Sequence, residues 1–140
     1  MKKQRADLAL EAARSRVDQN PTDLQLRFEL GEILAALGNW QEAIPELQKA
    51  RQNPNVRMRA MSLLGQCFTA RGMLDLAAKT LSDAVAELLV MDAVKKDVIY
   101  NLGLVYEKMG DAQKTVDCMK QIYEVDYGYR DVAKRVESSY

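Results

Sequence analysis

The chain has 140 residues, 48% of them apolar, with 20 basic and 20 acidic side chains and no histidine. That length fits one domain with a continuous core, and the balanced charge gives no reason to expect nucleic acid, whose phosphates require clustered cations. Without histidine there is no imidazole ligand and no Ser-His or Cys-His pair, and two cysteines cannot make a zinc site by themselves, so no metal and no cofactor is expected.

The basic start, MKKQRADLALEAARSR, is broken by Asp7 and Glu11, which removes the apolar stretch that export would need. No segment approaches a membrane span. With Met1 as the native start the protein is expected to be cytoplasmic; a longer parent chain would leave the location open. Residues 4–19 carry Ala9 and Ala13 ahead of Pro21 and read as a helix that is half of a two-helix unit. In residues 22–54, Leu26, Leu30, Ile33, Leu34 and Leu37 fall on one helical face, and Trp40, Ala43, Ile44, Leu47 and Ala50 on a second. Thr22 with Gln25 predicts a capping box behind Pro21. Gly38 marks the left-handed end of the first helix, with Asn39 as N-cap of the next.

Residues 55–91 repeat the arrangement: Asn55 opens behind Pro54, Ala60, Leu64, Cys67 and Phe68 make the first stripe, and Leu74, Ala77, Leu81, Ala84, Val85 and Leu88 the second, with Gly72 between them. In residues 92–126 the stripes are Val98, Leu102, Val105, Tyr106 and Met109, then Val116, Met119 and Ile122, with Gly110 and Asp111 as stop and cap. Over residues 128–140, Tyr129, Val132, Ala133 and Val136 form a narrow apolar face with Asp131, Lys134 and Arg135 turned outward, which predicts a closing helix.

Gly31 and Gly65 stand 34 residues apart, Gly65 and Gly103 stand 38 apart, and Gly38, Gly72 or Gly110 follows each at a spacing of seven. Such periods mean stacked units that cannot bury their apolar faces alone. A mid-helix glycine costs about 1 kcal/mol against alanine, so its recurrence predicts a close approach of the partner helix. Cys67 takes the place of Ile33 and Val105 and is expected to be buried; Cys118 aligns with Glu46 and Thr80 and is expected to be partly exposed. The four extra residues of the longer spacing fall near ELLVMDAVKK. There Leu88, Leu89, Val90 and Met91 are read as a lengthened helix tucked into its neighbour in preference to an exposed, adhesive turn. Glu42 and Glu46 are placed on a wet outer face, which gives no support to acid or base chemistry.

The repeated residues resemble those of the tetratricopeptide repeat family. Arg27, Leu30, Gly31 and Leu34 with Ala43 and Leu47 match its pattern, as do Met61, Leu64, Gly65 and Phe68 with Ala77 and Leu81, and Ile99, Leu102, Gly103 and Tyr106. Thr115 and Met119 depart from it in the third copy. The resemblance implies an all-α fold in a single domain, a right-handed α-solenoid of antiparallel helix pairs with three full repeats, a half repeat and a capping helix. It also implies a concave groove lined by the first helix of each unit. The residues there are Gln25, Phe28, Glu32 and Ala35, then Arg59, Ser62, Gln66 and Thr69, then Asp97, Tyr100, Asn101, Leu104 and Glu107.

Two readings stand for Phe28 and Tyr100: each anchors a ligand, or each covers a seam between neighbouring first helices. Asn101 matches an asparagine that many peptide-binding members use to hold a ligand backbone. Members that clamp the carboxylate of chaperone tails use cations, and none occurs at Phe28, Glu32, Leu63, Asp97 or Asn101, which disfavours that ligand. The function expected is a non-enzymatic scaffold that binds a protein or peptide in the groove. The alternative is a structural protein that forms homo-oligomers or coats a larger assembly through its ends or convex face.

Overall fold

The computed structural model describes residues 2–140. They fold into eight helices with no strand among the described residues: α1 (Lys2–Gln19), α2 (Leu24–Ala36), α3 (Trp40–Ala50), α4 (Arg57–Ala70), α5 (Leu74–Glu87), α6 (Ala93–Lys108), α7 (Ala112–Tyr123) and α8 (Val132–Glu137). The fold is all-α, as the helical spacing of the apolar residues requires. The helices divide into two compact units, one ending at Gly72 and the other running from Met73 to Tyr140. The division falls inside the second repeat, between its two helices.

In the first unit α1 packs on α2, α2 on α3 and α3 on α4. Its core holds Ala13 and Val17 of α1, Leu30 and Leu34 of α2, and Ala43, Leu47 and Ala50 of α3. Ala9, one turn before Ala13, is exposed. Gly38 stands at φ 79° and ends α2 in the left-handed conformation its sequence position predicted.

Two expected caps are corrected by one position each. The N-cap of α2 is Asp23, whose carboxylate accepts from the Leu26 amide at 3.1 Å, because Pro21 and Thr22 are taken up in a turn before it. α4 starts behind Val56 with no side-chain cap, since the Asn55 amide donates within the preceding turn to Asn53 Oδ1 at 3.0 Å. Asn39 does stand at the N-cap of α3, but its side chain makes no capping bond.

The carboxylates on α3 also differ from expectation. Glu42 is exposed and accepts from Arg14 Nη2 at 2.7 Å. Glu46 is not on a wet face: it accepts from Arg27 Nη1 at 3.0 Å, with only 15% and 17% of the two side chains exposed. The Arg27 guanidinium also donates to the Pro21 carbonyl, tying the loop before α2 to α3. Glu46→Ala leaves that guanidinium without its partner in a mostly closed place, so the variant is expected to lose about 2 kcal/mol, between the values for exposed and fully buried pairs. Glu42→Ala should lose less than about 0.5 kcal/mol. Thermal unfolding of the two variants side by side checks the difference.

In the second unit α5 packs on α6, α6 on α7 and α7 on α8. Val98, Ile99, Leu102, Val105, Met119, Ile122, Val132 and Val136 are buried. Asp92 caps α6 through the Lys95 amide at 2.9 Å, and Asp111 caps α7 through the Lys114 amide at 3.0 Å. The expected lengthened helix at ELLVMDAVKK is corrected. α5 ends at Glu87, Leu88 is extended, and Leu89 and Val90 stand 91% and 69% exposed in the loop that follows. Four consecutive apolar residues exceed the width of one helical face, and the chain resolves this by leaving the helix.

Cys118 is likewise corrected from partly exposed to buried, because it lies under the α6 glycine: a Cβ built on Gly103 would stand 3.2 Å from Cys118 Cβ. Burial pushes the Cys118 and Cys67 thiols up to about 11 each.

Candidate partner-binding faces

In the first unit the exposed faces of α2 and α4 carry Gln25 and Glu32, then Arg59 and Gln66. Ser62 is half-buried. Thr69 is half-buried too, and its hydroxyl donates to the Gly65 carbonyl one turn back at 2.7 Å. Phe28 is 1% exposed, with the Arg59 guanidinium lying 4.7 Å from its ring centroid. The seam reading therefore holds for Phe28: the neighbouring first helix covers it, and it offers no open aromatic surface. Ala35, at 4%, is also core.

In the second unit the corresponding face of α6 is occupied by the segment that leads into α8. Tyr100, at 7% exposed, donates its hydroxyl to Asp131 Oδ1 at 2.7 Å. Its ring meets that of Tyr129 edge-on at 5.8 Å. Asp97 accepts from the Tyr129 hydroxyl and pairs with Arg130 at 3.5 Å, while Arg135 Nη1 donates to Glu107 at 2.7 Å. Arg130 stacks 4.8 Å over Tyr100 and adopts φ 41°, a left-handed conformation unusual for a side chain of this size.

The sequence placed Asp131 and Arg135 on an outward face of the closing helix; both instead turn onto α6. The hydrogen bond from Tyr100, then Arg135, holds the Asp131 carboxyl below its usual range, and the Glu107 bond raises Arg135. Burial and then the Asp97 bond push Tyr129 up to about 12. Of the α6 residues in question, Asn101 and Leu104 stay half-buried without such a partner, and Asn101 makes no side-chain hydrogen bond among the described residues.

The polar partners at Asp97, Tyr100 and Glu107 were missed in the sequence. A signal was present: aligned at the 34-residue period, Asp131, Val132, Val136 and Tyr140 repeat Asp97, Val98, Leu102 and Tyr106. That register marks the C-terminal segment as the start of another first helix, which must cover the face of the preceding one. Among the described residues no group of three or more Cys, Asp or Glu is placed to hold a metal ion, and no helix is long and apolar enough to cross a membrane.

Tetratricopeptide repeat patterns match residues 1–57 and 97–129, together more than half of the chain. The chain belongs to the tetratricopeptide repeat family. The fold of MamA is similar over 99% of this chain and 79% of that one, with a TM-score of 0.82 at 23% identity. That of YrrB, described as a TPR protein with an unusual peptide-binding site, is similar over 97% and 68%, with a TM-score of 0.80 at 20% identity. At those identities the likeness is one of fold, the helical solenoid of this family. No curated protein sequence matches the chain.

Proposed function

We propose that this tetratricopeptide repeat chain is a non-enzymatic scaffold that binds a protein segment on the exposed faces of its first helices, chiefly α2 and α4 of the first unit. The observation that carries it is a row of polar side chains, Gln25, Glu32 and Gln66, that are exposed and make no side-chain hydrogen bond or ion pair among the described residues. Amide and carboxylate groups of this kind pair with the backbone and side chains of an extended peptide. Family membership and the described peptide-binding site of YrrB support the same class of function. Both cysteine thiols are buried, and burial raises each to about 11, which gives no support to a nucleophilic role near neutral pH.

A triple variant, Gln25→Ala with Glu32→Ala and Gln66→Ala, is expected to keep the parent's melting temperature, since each change is exposed and worth within about 0.5 kcal/mol. It should bind a partner purified after capture by the wild-type protein at least tenfold more weakly. Undiminished affinity in a folded triple variant sinks the proposal. A second reading, self-assembly, is favoured by one observation, the exposed pair Leu89 and Val90. Sedimentation at several concentrations separates it, and a monomer throughout removes it.

A further inference from the structure

Beside the turn from α2 to α3 lies an open depression of about 750 Å³ lined by Gly38, Asn39, Trp40, Gln41, Glu42, Pro45 and Arg71, all of the first unit. It shares no residue with the polar row on α2 and α4. Its chemistry is uneven. Arg71 is exposed and has no acidic partner among the described residues, whereas the acid in the depression, Glu42, is held by Arg14 at 2.7 Å. Of the two charged side chains that line the depression, the carboxylate is thus neutralised by Arg14, and the positive charge of Arg71 is left over.

The wall is apolar where Trp40, half-buried, stands by the exposed Pro45. Because Pro45 lies inside α3 and has no N–H, the Gln41 carbonyl lacks the usual helical donor one turn on, and both residues line the depression. The side-chain amide of Asn39 makes no hydrogen bond among the described residues, while its backbone N–H is already given to the Leu34 carbonyl at 2.8 Å.

We infer that this depression binds an acidic peptide segment, with an Asp or Glu side chain on Arg71, a neighbouring apolar side chain on Trp40 and Pro45, and backbone groups on Gln41 and Asn39. A lone anion would use the guanidinium and leave the apolar wall and the Gln41 carbonyl unused. A polyanion needs several clustered cations, and among the described residues that line the depression Arg71 is the one cation. A carboxylate next to an apolar residue on a chain that also donates N–H groups satisfies all of them.

Trp40 is the one tryptophan of the chain, so its emission reports on this place. The full chain is titrated to millimolar concentration with acetyl-Leu-Glu-Leu-Glu-Leu-amide, with the analogue in which both Glu are Gln, and with inorganic phosphate. A saturable change with the acidic peptide is expected, with at least tenfold weaker binding of the Gln peptide and of the acidic peptide to the Arg71→Gln variant. That variant should melt with the parent, because Arg71 is exposed and has no partner to lose. The triple variant of α2 and α4 should respond like the wild type, which keeps failure here separate from failure of the reading above. The inference is overturned if emission does not respond, if the folded Arg71→Gln variant or the Gln peptide binds equally well, or if phosphate alone reproduces the response and displaces the peptide.

Discussion

The Phe28→Ala variant is expected to lose about 3 to 5 kcal/mol of stability, the usual range for removing a buried aromatic ring, and to melt roughly 10 °C or more below the parent. The reason is geometric: the ring is 1% exposed, under the Arg59 guanidinium at 4.7 Å, so truncation opens a void that the rigid helices on either side cannot close. Arg59→Ala offers the contrast. It removes a cation from the face of the ring but leaves the ring in place, and should lose only about 1 kcal/mol, as exposed cation–aromatic contacts do. Thermal denaturation followed by circular dichroism reads both. A Phe28→Ala protein that melts with the parent would mean that the ring is no part of the core, and the groove-anchor reading of Phe28 would return.

Phe28 also shows how far the sequence could be read. Its spacing places it off the stripe made by Leu26, Leu30, Ile33 and Leu34, and a helix with a single neighbour would leave it in water. A first helix in a repeat array has two kinds of neighbour, its own partner and the next first helix. The period of 3.6 residues reports only how many residues are apolar on each face, and is silent about which polar side chain will cover an aromatic one. Arg59 covers Phe28 and Asp131 holds Tyr100 through polar groups, which no count of apolar positions detects.

What depends on backbone conformation and period was legible: the eight helices, the left-handed glycines Gly38, Gly72 and Gly110, and the burial of Cys67. What depends on competition between adjacent residues of similar chemistry was not. Asp23 took the cap from Thr22, and the run from Leu88 to Met91 left the helix because one face could not hold it.

Gly31→Leu is expected to be severely destabilising, and Gly31→Ala measurably so, although alanine is the better helix former by about 1 kcal/mol. A Cβ at residue 31 would stand 2.8 Å from both Cγ and Cδ2 of Leu47, a fully buried side chain. The branch point of Leu47 cannot swing away as the end of a long side chain could, so α2 and α3 must separate or Leu47 must leave its rotamer. Overpacking of this kind costs about 1 to 3 kcal/mol, which exceeds the propensity gained. Gly103 provides the internal control. Its Cβ would also meet an atom at 2.8 Å, but that atom is the terminal methyl of Met119, the movable end of an unbranched chain, with Cys118 Cβ next at 3.2 Å. Gly103→Ala should therefore be tolerated better than Gly31→Ala, by about 1 kcal/mol in denaturant unfolding. Equal losses would show that the approach of the helix backbones, rather than the rigidity of the facing side chain, sets the cost of filling these positions.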